Sequence, residues 1–231
     1  MNYDEWAPAY AAILADFGYP RSGDERARDE LAALVRPLDP SRFDAFDGAT
    51  VAVAGGAETL RDEVDLAAAA DVVVAASTAA DVLREAGVAV DWMTTDLDKN
   101  PETVVELTED GVPVAVHAHG DNREAVAKWV PRFDAGHVLG TTQAEPRPPV
   151  VNYGGFTDGD RGAFLADHFG AARLVFPGWD LDDPSVDAEK RRKLAWAERL
   201  LGWLERRRGE RFELLDGRRD ALDQSFLDGT A

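Results

Sequence analysis

The residues best placed to do chemistry sit in two short runs. Thr94-Thr95-Asp96-Leu97-Asp98 puts two carboxylates one residue apart, directly after an apolar segment. After the next apolar segment, His117-Ala118-His119-Gly120-Asp121-Asn122 adds two imidazoles, a third carboxylate and an amide. Carboxylates this close repel unless a cation or a shared proton separates them. Hard oxygen donors suit Mg²⁺ and the phosphate oxygens it carries. Asp96 and Asp98 share a side if the segment is extended, since alternate side chains share a face, and Asp121 can ligate a metal from the second run. His119 can donate to a phosphate or position a substrate hydroxyl. Asn122 can meet a phosphate oxygen or cap the following helix. Other uses stay open: Asp98 as a helix cap, or a zinc site from His117, His119 and Asp121. The oxygen-rich set favours magnesium over zinc.

Parallel strands would bring the two runs together at the carboxyl edge of one sheet, where open α/β folds bind ligands. The pattern supports this. Short β-branched runs at 50–54, 71–76, 88–94, 112–116, 137–140 and 173–176 alternate with helical patterns at about 57, 78–86, 101–110, 122–130 and 159–169. A further strand is expected at 150–153. Strict alternation predicts right-handed βαβ units. Continuous apolar runs predict a sheet buried on both faces. The expectation is an α/β chain with a mainly parallel, Rossmann-like sheet flanked by helices. Residues 1–46 form an N-terminal helical cap, with helices at 4–17 and 23–36 (the second capped by Ser22), 47–180 form the α/β core, and 181–231 hold a long charged helix (186–208) and a tail, all in one domain.

Weaker signals lie on the same edge. Gly55-Gly56 follows the first strand, so backbone N–H groups there can face an anion, although the spaced-glycine fingerprint of dinucleotide folds is missing. Thr141-Thr142-Gln143 follows a strand and can contact a base or ribose, or be plain turn chemistry. Gly154-Gly155-Phe156-Thr157-Asp158-Gly159-Asp160-Arg161 combines two glycines, two acids and an Arg at a helix start. Lys190 and Lys193 lie on adjacent turns of one helix and can reach a triphosphate, or form a solvated face.

Composition bounds the partners. Across 231 residues the formal net charge is −19. The lysines are Lys99, Lys128, Lys190 and Lys193, and every other basic residue is Arg. Dispersed carboxylates with scarce Lys predict a protein from a salt-rich cytosol, a halophile, because salt screens self-repulsion. A field of this sign repels nucleic acid. With no Cys there is no disulfide framework and no thiolate metal site. No apolar run reaches the roughly 20 residues of a membrane span. The start of the chain lacks signal-peptide features. A cytoplasmic protein is expected, with no membrane partner.

Taken jointly, the two carboxylate runs, Gly140-Thr141-Thr142-Gln143, Gly155-Phe156-Thr157-Asp158-Gly159-Asp160-Arg161, Gly178-Trp179-Asp180 and Lys190-Arg191-Arg192-Lys193-Leu194 resemble the archaeal-type 6-hydroxymethyl-7,8-dihydropterin pyrophosphokinase family, in the family's order and over roughly residues 50 to 204. Asp71 to Asp98 also resembles thiamine pyrophosphokinases. The resemblance implies Mg²⁺-dependent transfer of diphosphate from ATP to a reduced hydroxymethyl pterin, giving AMP and the pterin diphosphate, in tetrahydromethanopterin or folate-type biosynthesis. It implies Asp96, Asp98 and Asp121 as metal ligands, and His119, Asp121 and Asp158 as the catalytic set. The general base stays open between His119 and an aspartate. It further implies Asn122 beside the phosphates and Thr142, Gln143, Asp158, Asp160 and Arg161 as nucleotide or pterin contacts; Gly55, Gly56, Thr141, Lys190 and Lys193 join the cofactor-binding candidates from their own residue chemistry. Two departures stand out: Gly55-Gly56-Ala57 where the family favours a Gly-Pro-Ser type turn, and Ala76-Ser77-Thr78-Ala79 where relatives tend to carry Asp-Gly. Two rivals remain, a glycosyltransferase-related domain and a non-catalytic nucleotide-binding regulator. Oligomeric state is open, a homo-oligomer included.

Overall fold

The computed structural model describes residues 1–227. Six parallel strands form one sheet in the order β5-β4-β3-β2-β1-β6. They are β1 (Thr50–Ala54), β2 (Val72–Ala76), β3 (Trp92–Thr95), β4 (Val114–Ala118), β5 (Val138–Thr142) and β6 (Arg173–Val175). The chain steps outward from β1 to β5, then returns to lay β6 on the other side of β1. The strand order therefore reverses at β1, and the carboxyl edge of the sheet is where such folds take ligands.

Period-two alternation sorts the strand side chains onto two buried faces. Val51, Val53, Val72, Val74, Trp92 and Ala115 share a core with α1 (Tyr3–Phe17), α7 (Asp158–His168) and α8 (Ala188–Arg208). Ala52, Ala54, Val73, Ala75, Met93, Val114 and Val116 pack under α2 (Arg21–Ala32), α3 (Val64–Ala68), α4 (Ala79–Glu85), α5 (Pro101–Glu109) and α6 (Arg123–Trp129). The small residues Ala52, Ala54 and Ala75 let the second layer sit close.

Several local expectations are corrected. The helix expected at 23–36 begins earlier, at Arg21, with Pro20 as its N-cap, so Ser22 lies inside the first turn and caps nothing; it also ends earlier, at Ala32. After Gly55-Gly56 the chain makes a 3₁₀ turn at Glu58–Asp62 before the short α3, not one continuous helix. Residues 150–153 form only isolated bridges, Val151 to Thr141 and Val150 to Arg147, because this stretch crosses the outer edge of the sheet without adding a strand.

Candidate functional site

At the carboxyl edge the strands end in a cleft of about 710 Å³. Its walls include Gly55, Gly56, Ser77, Asp96, Asp98, His119, Asp121, Gln143, Asp158, Arg161, Trp179, Lys190 and Lys193, so the sequence runs singled out above do meet.

The two central carboxylates reach the cleft by a different route from the extended alternation expected. Leu97 is buried and adopts φ +68, a left-handed conformation that L-residues avoid. Local bonds hold the turn: Leu97 N–H donates to Thr95 Oγ1 at 3.0 Å and Asp98 N–H to Asp96 Oδ1 at 3.2 Å. Burying the Leu97 side chain at 3% exposure offsets the strain and leaves both acids on the cleft wall. Burial, and then the neighbouring Asp96 charge, push the Asp98 carboxyl up to about 6. Burial acts on Asp96 in the same direction, but hydrogen bonds from His119 and Asp98 together with the Arg161 charge override it, and Asp96 is held well below the usual carboxylate range. The pair therefore behaves as two carboxyls sharing one proton, a proton that a cation can replace.

His119 is oriented from both sides. Asp121 N–H approaches its Nδ1 at 3.4 Å, and its Nε2 lies 3.5 Å from Asp96 Oδ2. A donor at Nδ1 assigns the ring proton to Nε2, toward Asp96. His117, two residues earlier, points into the core below. Burial, then the charges of Arg161 and His119, keep it neutral, with Nδ1 3.1 Å from Thr141 Oγ1. The zinc arrangement of His117, His119 and Asp121 does not form: among the described residues no three His or acidic side chains converge as metal ligands. Asp121 accordingly lines the cleft without joining Asp96 and Asp98 in such a cluster.

Asn122 tethers the two runs. Its amide donates to the backbone oxygens of Asp96 (2.8 Å) and His117 (2.7 Å), and its oxygen accepts from His119 N–H (2.9 Å). It is the N-cap residue of α6 but makes no side-chain cap bond. It holds the ends of β3 and β4 in register instead of facing the cleft.

Asp158 opens α7. Its backbone oxygen accepts from Thr94 Oγ1 at 2.8 Å, and its carboxylate lies 3.0 Å from Arg161 Nη1. Burial, followed by the Asp96 charge, raises its carboxyl well above the usual range. Asp160 turns inward: fully buried, it accepts from the Phe156 and Thr157 backbone N–H groups and from Thr157 Oγ1. That closes the first turn of α7 and leaves no cleft contact.

The nucleotide-contact candidates divide. Gln143 lines the cleft, but its amide donates to Asp24 Oδ2 at 2.8 Å. Thr141 and Thr142 line a small cavity behind it with His117 and Arg161. Gly55 N–H is already bound by Pro177 O at 2.9 Å, and Gly56 is exposed on the rim. α8 begins over the opposite wall. Lys193 pairs with Glu189 at 2.9 Å, while Lys190 has no ion pair among the described residues and its charge acts on Asp98 and Asp158.

Two cleft residues had no role assigned from the sequence, although Trp179 lies in one of the motifs quoted above. Asp24 in α2 is buried and accepts from Tyr10 Oη, Gln143 Nε2 and Gly120 N–H, each at 2.8 Å. It binds α1 and α2 to the His119-Gly120-Asp121 turn. Trp179 lines the cleft beside Gly55, its indole N–H donating to Val53 O at 2.9 Å.

A parallel sheet with paired carboxylates and an unpaired lysine at its carboxyl edge defines the class: an α/β protein that takes its ligand at the ends of its strands. The family profile described as 6-hydroxymethylpterin diphosphokinase, MptE-like, matches residues 28–185, and the chain belongs to that family. Three proteins named 6-hydroxymethyl-7,8-dihydropterin pyrophosphokinase are similar to it along nearly their whole length. The protein from Methanothermobacter thermautotrophicus is 37% identical, covering 92% of this chain and 99% of the relative. That from Pyrococcus furiosus is 34% identical, covering 88% and 94%, and that from Methanocaldococcus jannaschii 29%, covering 88% and 96%.

Proposed function

We propose that this chain, acting as one pyrophosphokinase domain, transfers diphosphate from ATP to the hydroxymethyl group of 6-hydroxymethyl-7,8-dihydropterin, releasing AMP. The observation that carries the reading is the Asp96–Asp98 pair set in a cleft with Lys190, in a chain of this family. In the reaction the acceptor oxygen bonds to the β-phosphorus, the bond from that phosphorus to the oxygen bridging it to the α-phosphorus breaks, and AMP leaves with the bond's electrons. Such displacements depend on alignment and charge neutralisation and need no protein nucleophile.

The paired carboxyls fit Mg²⁺, which is held by one or two carboxylates plus substrate phosphates and water, so the lack of a three-ligand cluster is no obstacle. When bound by Asp96 and Asp98, the ion would neutralise charge on the transferring phosphates. Asp158 takes the acceptor's proton, a role supported by its place on the cleft wall with the Arg161 guanidinium 3.0 Å from its carboxylate. Lys190 donates to phosphate oxygens, and His119, its Nε2–H directed at Asp96, orients that carboxylate beside them. Arg161 holds Asp158 in place. Asp121, on the cleft wall, would add a further carboxylate to the ion's surroundings. The route is tetrahydromethanopterin or folate-type biosynthesis in the cytoplasm; among the described residues no helix is long and apolar enough to cross a membrane.

The test is nucleotide product analysis with ATP, Mg²⁺ and the pterin. AMP appearing only when pterin is present supports the reading. ADP would indicate single-phosphoryl transfer, ATP bound without turnover a regulator, and activity only with a nucleotide sugar the glycosyltransferase-related alternative.

A further inference from the structure

Trp179 is built into the cleft in a way the chemistry above does not use. Its ring is boxed by two glycines from separate segments. A Cβ on Gly55, just after β1, would lie 2.4 Å from the Gly178 carbonyl oxygen and 2.9 Å from the indole Cδ1, and one on Gly159, in the first turn of α7, would lie 2.4 Å from Cζ2. Neither position admits any side chain without moving the indole. The bond to Val53 O fixes the ring in its plane, and Phe176 packs edge-on against it at 5.8 Å. Yet the side chain is only partly buried, and its uncovered part lines the cleft. A rigid, partly open indole held this way is a platform for a flat ring.

Its neighbour decides which ring. Gly159 follows Asp158 directly, so the indole touches the residue next to the carboxylate assigned above to the acceptor's proton. In the acceptor, one methylene separates the flat heterocycle from the attacking oxygen. In ATP, the ribose and α-phosphate separate the adenine from the β-phosphorus. Only the acceptor's ring can lie beside the reacting groups. The surroundings agree: Thr78 offers a neutral hydroxyl-bearing side chain beside Gly56 on this part of the wall, and the exposed Arg26 lies on the α2 side.

We propose that Trp179 is the stacking platform for the pterin ring, turning its hydroxymethyl group toward Asp158. This rests on the diphosphokinase reading above. The experiment compares wild type, Trp179→Phe and Trp179→Leu in steady-state kinetics. It also titrates each protein's tryptophan fluorescence with the pterin alone and with ATP alone. Loss of a stacked ring weakens binding by about tenfold or more. Trp179→Leu is expected to raise the pterin KM by about that factor, with ATP KM within about twofold, while Trp179→Phe keeps most of the affinity. Pterin should quench wild-type emission more than that of Trp179→Phe. A rise in ATP KM with pterin KM unchanged, or no change in either, overturns the proposal. A wild type that binds pterin with Trp179-dependent quenching but forms no AMP would instead reject the diphosphokinase reading and leave the platform standing. Should Trp179→Leu fail to fold, the quenching comparison with Trp179→Phe decides.

Discussion

Replacing Asp24 with Asn tests how the helical cap holds the site. The carboxylate is 3% exposed and accepts three hydrogen bonds at 2.8 Å, from α1, from the turn after β4 and from the segment after β5. Two donors, Tyr10 Oη and Gln143 Nε2, share Oδ2; the third, Gly120 N–H, uses Oδ1. Asn has one acceptor oxygen. Placing it at the Oδ2 position keeps two bonds but turns an NH₂ group against the Gly120 N–H. Hydrogen bonds to a charged acceptor contribute about 1.5–3 kcal/mol each, and a buried donor left unmet costs about 1–3 kcal/mol. One lost bond, two weakened ones and an opposed donor pair together predict a loss of about 3 kcal/mol. For a chain of this length that corresponds to roughly 6–12 °C in Tm. Tyr10→Phe removes one donor and leaves the acceptor satisfied, so about 1 kcal/mol is expected. Urea unfolding followed by circular dichroism, with equal m-values across variants, measures both. Because Gly120 lies between His119 and Asp121, kcat for AMP release should fall in Asp24→Asn more than in Tyr10→Phe. An Asp24→Asn protein within about 0.5 kcal/mol of wild type, or with undiminished kcat, would refute the reasoning.

Other perturbations have equally definite outcomes. Asp96→Asn and Asp98→Asn should each lower AMP formation by orders of magnitude at limiting Mg²⁺ with the fold intact by circular dichroism, and near-wild-type turnover in both would reject the metal assignment. The Asp98 carboxyl titrates near 6 in the folded metal-free chain against an ordinary 3.8, so the unfolded chain gives up this proton first. The Asp98 contribution is therefore fully present below about pH 4 and lost as pH rises to about 6, and urea melts of wild type against Asp98→Asn should show that difference flattening above about pH 6. Mg²⁺ competes for the same oxygens, so its stabilisation in thermal melts should grow across that window. Lys190→Gln should raise the ATP KM or lower kcat, while Lys193→Gln, whose ammonium is already paired with Glu189, should do so less; equal effects would contradict that division. With a net charge of −19, Tm should rise from millimolar buffer to molar KCl as the Debye length falls from about 30 Å to 3 Å, and a flat or falling Tm would reject the salt-adaptation reading.

The strands were legible because runs such as Val72-Val73-Val74 and Val114-Ala115-Val116 have no use except a sheet buried on both faces, and the carboxylate runs directly follow such strands. Their convergence in one cleft then follows from parallel topology alone. What could not be read was the direction of each polar side chain. Asn122, Asp160 and Thr142 sit at the edge as expected, but backbone groups claim them, and residue type does not tell a ligand contact from a structural bond. Asp24 was hidden because its partners lie 14, 96 and 119 residues away in sequence. The packing of Trp179 was hidden for the same reason, since Gly55, just after β1, and Gly159 in α7 meet it only in three dimensions. Leu97 gave no sign of its left-handed turn, since Gly or Asn is the usual signal for positive φ.

The cleft is proposed to move two phosphorus atoms together onto an alcohol. The most direct measurement is a ³¹P NMR time course of the protein with ATP, Mg²⁺ and 6-hydroxymethyl-7,8-dihydropterin. The account predicts AMP and a two-phosphorus pterin ester accumulating in equal amounts, with neither formed when the pterin is omitted. ADP with a one-phosphorus ester, or unchanged ATP in the presence of both substrates, would contradict it.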